Sequence, residues 1–155
     1  VRIFIDDGHG GEAFLGEDWA ALTPLDDTMK LYLGESKDVV CTRIIESNQR
    51  HQVRGNLYNQ EIVIKYEIEN FKDTPATLRI VEQLNRLGQE YFGHTHGDVE
   101  WERMGKTSKE LRFDYELGRA TPTMMVDLPA RPTDKDAKVE KVTVRLHVLL
   151  KNLWQ

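Results

Sequence analysis

The sequence predicts an all-β fold: an antiparallel β-sandwich, immunoglobulin-like, with little or no helix. Three observations carry this expectation. Apolar residues recur with a period of two rather than 3.6 through most patterned stretches. Clusters of Gly, Pro, Asp and Asn punctuate those stretches as turns. The 155 residues, 39% hydrophobic and 30% charged, suffice to bury one core without disulfide or metal staples. About eight to ten short strands in such a chain point to a sandwich, with a closed barrel as the alternative. A single domain over residues 1–155 is expected. The Cys…Trp…Cys signature of antibody domains is missing, because Cys41 is the only cysteine.

The elements follow in order. Val1–Asp6 and Glu12–Ala20 read as a hairpin joined by Asp7-Gly8-His9-Gly10-Gly11, whose glycines supply the positive φ of a tight turn. Pro24-Leu25-Asp26-Asp27 and Leu33-Gly34-Glu35-Ser36 read as further turns. Cys41 lies in the apolar run Asp38-Val39-Val40-Cys41-Thr42 and is expected to be a buried, inert thiol. The clearest alternation runs from Glu61 to Asn70: Ile62, Ile64, Tyr66 and Ile68 face one way, while Glu61, Lys65, Glu67 and Glu69 face the other. Asn70 to Pro75 reads as a hairpin loop. From Pro75 onward the spacing of Leu78, Val81, Leu84, Leu87 and Tyr91 also fits a helix. The strand reading of Ala76–Gln83, with Leu78 and Ile80 inward and Thr77 and Arg79 outward, is preferred, followed by a helical turn near Asn85–Tyr91. Leu111, Phe113, Tyr115 and Leu117 alternate with Arg112, Asp114 and Glu116. Pro129 to Asp136 is a surface loop before a last long strand, Val139–Leu150.

Charge and hydropathy exclude some functions. The formal net charge is −5, and basic residues alternate with acids, as in Lys135-Asp136 and Glu140-Lys141. The chain therefore lacks the clustered Lys and Arg of a nucleic-acid binder. No apolar stretch reaches the roughly 18–20 residues of a membrane span. Val1 opens inside a strand-like run, which predicts a domain cut from a longer protein.

Several stretches resemble a bacterial family numbered 4139 among domains of unknown function, found at the C-terminus of proteins similar to the mucoidy inhibitor A group. The residues that carry it are Val1-Arg2-Ile3-Phe4 with its glycine hairpin, Phe14-Leu15-Gly16-Glu17-Asp18, Thr23-Pro24-Leu25-Asp26 and Leu31-Tyr32-Leu33-Gly34-Glu35. Asp38-Val39-Val40, Tyr66-Glu67-Ile68-Glu69-Asn70, Lys72 to Leu78, Leu111-Arg112-Phe113 and Val142–Val148 continue it in the same order. Asn85 to Gly105 and Gly118 to Asp136 match only loosely. The resemblance implies a β-sandwich appended to other domains, a coiled coil among them, and a periplasmic or exported parent protein. It implies no reaction and no catalytic residues.

Candidate chemistry is sparse. His94-Thr95-His96-Gly97-Asp98 places His94, His96 and Asp98 on one side of an extended segment, a spacing that could ligate Zn²⁺ and activate a water for hydrolysis. A solvated loop is the plainer reading, since His9, His51 and His147 offer no acidic or histidine partner at suggestive spacing. Glu17-Asp18 beside Trp19 could serve sugar chemistry, but adjacent strand residues face opposite ways and cannot line one cleft. Asp26-Asp27 lacks the alternating acids of a Ca²⁺ loop. Ser36, Ser47 and Ser108 lack a nucleophile elbow. Phe4 and Tyr32 occupy the polar parity of their strands, and Trp154 lies past the last strand. These three are candidates for a partner-facing surface.

The first expectation is therefore a non-enzymatic accessory or protein-interaction domain of a larger bacterial envelope-associated protein, without catalytic residues or cofactor. Its partner would be another protein or other domains of the same chain. The alternatives are a metal-dependent hydrolase using His94, His96 and Asp98, or a carbohydrate-binding module stacking sugars on Trp19 or Trp101.

Overall fold

The fold was analysed in a computed structural model. It describes residues 1–6, 8–20, 23–29, 31–32, 35–87, 99–114, 120–134 and 137–154. Strands hold 57% of these residues and helix 3%, and every strand pair is antiparallel. The all-β expectation holds. The chain divides into two compact units, Val1–Lys37 and Asp38–Gln155.

The first unit is built on a hairpin of β1 (Arg2–Asp6) and β2 (Glu12–Glu17). Phe4 lies opposite Phe14 and Asp6 opposite Glu12, while Ile3 pairs with Gly16. Leu15 is thereby left as the extra residue of a bulge. The connection needs glycine: Gly8 and Gly10 have φ of 75° and 86°, and the Asp6 carboxylate accepts the Gly8 N–H at 2.8 Å. The turn at Pro24–Asp27 closes with Asp27 N–H donating to the Pro24 carbonyl at 3.3 Å. Asp26 takes positive φ (69°) at its third position, as a type II turn demands.

Asp18 ties this unit together. Its two carboxylate oxygens accept the backbone N–H groups of Tyr32 (2.6 Å) and Trp19 (2.8 Å). Those bonds, the Tyr32 one first, hold its carboxyl below the ordinary carboxylate value. Glu17 instead pairs with Arg2 at 3.6 Å.

The second unit contains two sheets. One has the order β3 (Val39–Arg54), β4 (Leu57–Asn70), β9 (Lys141–Trp154), β6 (Glu100–Arg103). The other has the order β5 (Ala76–Val81), β8 (Thr123–Leu128), β7 (Arg112–Asp114). One apolar cluster joins them: Ile62, Ile64, Tyr66 and Ile68 of β4 and Val144, Leu146, Val148 and Leu150 of β9 pack with Ile80, Met124, Val126 and Leu128. The alternation expected for β4 and β9 is thus their burial pattern. β5 is a strand with Ile80 buried and Thr77 and Arg79 exposed, and residues 84–87 form a helical turn that buries Leu84 and Leu87.

Two expectations need correction. The connection from Asn70 to Pro75 is no hairpin loop, because β4 and β5 belong to different sheets. Buried Asn70 holds this crossover: its amide donates to the Thr74 and Pro129 carbonyls (3.1 and 2.8 Å), and its carbonyl oxygen accepts the Lys72 N–H at 3.1 Å. Cys41 is exposed rather than buried, because β3 is the edge strand of its sheet. Partial desolvation still pushes its thiol pKa up. The immunoglobulin order, ABED and CFG, is not established: among the described residues the second long strand, β4, pairs with the last, β9.

Candidate functional site

The described residues of Val1–Lys37 contain no buried side chain. A two-stranded hairpin by itself is marginal in water, and this one presents large apolar groups. Phe4 is 52% exposed and Tyr32 62%, while Trp19 and Leu25 are almost wholly so at 97% and 98%. Ile5, Phe14, Leu15 and Met29 are exposed as well. The Phe4 and Phe14 rings meet edge to face, with centroids 5.7 Å apart and planes at 68°.

The face carrying that ring pair has a definite charge pattern. Strand parity puts Arg2 and Asp6 beside Phe4, and Glu12 beside Phe14. The face therefore reads as an ion pair (Arg2–Glu17), a ring pair (Phe4–Phe14) and a pair of directly opposed carboxylates (Asp6 and Glu12). Neither Asp6 nor Glu12 has a cationic partner among the described residues. Like charges directly opposite on a ladder destabilise it.

The second unit spends its polar side chains differently. On the outer face of the four-stranded sheet, Glu61 bridges two histidines: Oε1 lies 2.8 Å from Nε2 of His147 and Oε2 lies 3.1 Å from Nε2 of His51. The two imidazoles, His147 first, keep the Glu61 carboxyl below its ordinary value. Buried His147 also accepts the Lys106 backbone N–H on Nδ1 at 3.2 Å. Its proton therefore sits on Nε2 and is donated to Glu61. Beside it, Arg145 grips Glu46 through two bonds of 2.7 and 3.0 Å. Toward the core, Glu82 accepts Arg43 bidentately (3.0 and 3.0 Å) and the buried Tyr66 hydroxyl at 2.7 Å. Desolvation, and then the facing Glu82 charge, raise the Tyr66 phenol above its ordinary pKa. These groups clasp strands to one another, and each carboxylate is matched.

The remaining sequence candidates fall as follows. His94, His96 and Asp98 lie outside the described residues. Among those described, no three His, Cys, Asp or Glu side chains are placed to hold a metal. His51 and His147, expected to lack an acidic partner, share Glu61. That cluster was invisible in the sequence because it depends on the β3–β4–β9 register. Trp101 is half-buried and packs on the core, so it presents no open stacking platform. Trp154 ends β9 with 64% of its surface exposed. Among the described residues no helix is long and apolar enough to cross a membrane. Compared with protein-family models, curated proteins and solved structures, the chain matches none.

Proposed function

We propose that the chain is a non-enzymatic accessory or protein-interaction domain whose contact surface is the β1–β2 hairpin. One observation carries this: the first unit exposes Phe4, Phe14, Trp19, Leu25 and Tyr32 while burying none of its described residues. Several exposed large apolar side chains in one small unit, with Phe4 and Phe14 in ring contact, support reading it as a binding face. Aromatic groups supply most of the energy in such contacts. Membership of the bacterial 4139 family, suggested by the phrase from Phe14 to Asp18, is part of this proposal. In that setting the domain would belong to a larger envelope-associated protein and would meet other proteins or other parts of its own chain.

The test is a photo-crosslinking residue at Leu15, the exposed bulge position, in the full chain produced in its native cells. A discrete protein adduct that disappears when Phe4 and Phe14 are both replaced by Ser is the expected result. Unfolding of the Asp38–Gln155 unit should be unchanged in that variant. An absent adduct, or one indifferent to the two rings, would refute the reading.

A further inference from the structure

Resting on that reading, we infer that the Phe4–Phe14 face of the hairpin selects a protein segment carrying Lys or Arg next to an apolar side chain. The charge balance of the two units comes first. Val1–Lys37 holds three Lys and Arg against eight Asp and Glu, so its formal charge of −5 equals that of the whole chain. Asp38–Gln155 is formally neutral, and five of its carboxylates, Glu46, Glu61, Glu67, Glu82 and Asp127, have partners. The net negative charge is confined to the unit that exposes Phe4, Phe14, Trp19 and Tyr32.

The hairpin face adds geometry. Asp6 and Glu12 oppose each other one pleat away from the ring pair, on the same face. Two residues along a strand span about 7 Å. An extended partner segment with an apolar residue at one position and a cation two residues on would cover the rings and place its positive charge between the two carboxylates. Binding would relieve the cross-strand repulsion that the free hairpin carries. Anionic lipid and nucleic acid are disfavoured occupants, because this surface repels them.

The test uses the full 155-residue chain, isotope-labelled, and three short synthetic peptides of repeating Leu-Ser-Lys-Ser, Leu-Ser-Glu-Ser and Leu-Ser-Ser-Ser. At low salt the Lys peptide should shift the amide resonances of Phe4, Asp6, Glu12 and Phe14, and the Glu peptide should not. Asp6→Asn/Glu12→Gln should weaken the Lys peptide about fivefold, the scale of two exposed ion pairs, and added salt should erase the difference. The variant removes a repulsion, so the hairpin survives, and Phe4–Phe14 ring contacts in its spectra verify that. Equal binding of the Lys and Ser peptides, or an unchanged affinity in the variant, would overturn the charge selection and leave the interaction reading standing. Saturable binding of anionic vesicles through the same residues would also overturn it. If no peptide touches the hairpin, both readings fall.

Discussion

Tyr66→Phe deletes one hydroxyl from the Arg43–Glu82–Tyr66 contact in the second unit, and its consequence can be worked out in advance. The phenol donates to Glu82 Oε2 at 2.7 Å, in a site where Tyr66 is 2% exposed. A hydrogen bond to a charged acceptor contributes about 1.5–3 kcal/mol. The lower part of that range applies, because Oε2 keeps the Arg43 Nε–H at 3.0 Å and is not orphaned. The loss should be about 2 kcal/mol, or about 6–10 °C in Tm for a unit of this size. Glu82→Gln should be worse, about 3 kcal/mol, because it leaves Arg43 and Tyr66 facing a neutral amide in a low-dielectric pocket. In the Glu82→Gln background, Tyr66→Phe should then lose only about 1 kcal/mol, since the acceptor no longer carries charge. Urea unfolding of the four proteins measures this as a shift of midpoint at constant slope. A Tyr66→Phe protein within about 0.5 kcal/mol of the parent, or an equal loss in both backgrounds, would show that Glu82 is not the partner that matters.

Two further outcomes follow from other clasps. On the outer face of the three-stranded sheet, Asp127 accepts a bidentate Arg112 guanidinium and the Thr77 hydroxyl, which together hold its pKa at about 2. Its folded value lies below the unfolded one, so its contribution is complete above the ordinary carboxylate range and fades as pH falls through that range toward about 2. Carboxyl NMR titration should find the low value in the parent and a return toward the ordinary one in Arg112→Gln; an unchanged midpoint would rule out the guanidinium as its cause. For His147, the Nε2–H tautomer tethers residue 106 through Nδ1. The Lys106 amide should therefore exchange slowly in the parent and in His147→Asn, whose amide oxygen replaces Nδ1, and quickly in His147→Gln. Equal exchange in the two variants would remove the tether.

Legibility in the sequence followed burial. β4 and β9 lie in the middle of their sheet with one face on the core, so Ile62 to Ile68 and Val144 to Leu150 alternate cleanly. β1 and β2 were found through their glycine turn rather than through alternation. β3 was missed beyond its first residues, because an edge strand has little to bury. From Arg43 to Gln52 it is mostly polar on both faces, with a register shift between Ile45 and Ser47. Such bulges and charges blunt an exposed edge, and they also erase the pattern a reader looks for. Cys41 was misplaced for the same reason: an apolar run signals a strand but not whether another layer covers it. The Glu61 cluster joins residues 10 and 86 positions away in sequence, a proximity set by strand register that no local motif encodes. In the first unit Phe4 and Tyr32 stood out through parity, and their exposure agrees with it. Trp19 and Leu25, more exposed still, sit beside turns where parity has no meaning.

The contrast between the two units decides where function should be sought. In Asp38–Gln155 buried His147 and Glu82 have found partners, and Glu67 and Glu46 pair across strands with Lys141 and Arg145. In Val1–Lys37 the opposite holds. Aromatic rings are exposed and Asp6 faces Glu12 with no cationic partner among the described residues, so a suitable partner gains apolar burial and favourable charge contact. Proteins tolerate such locally unfavourable arrangements mainly where another molecule relieves them. Replacing Phe4 and Phe14 should therefore change what the protein binds and leave the sandwich unit as stable as before, whereas replacing Tyr66 or Glu82 should do the reverse.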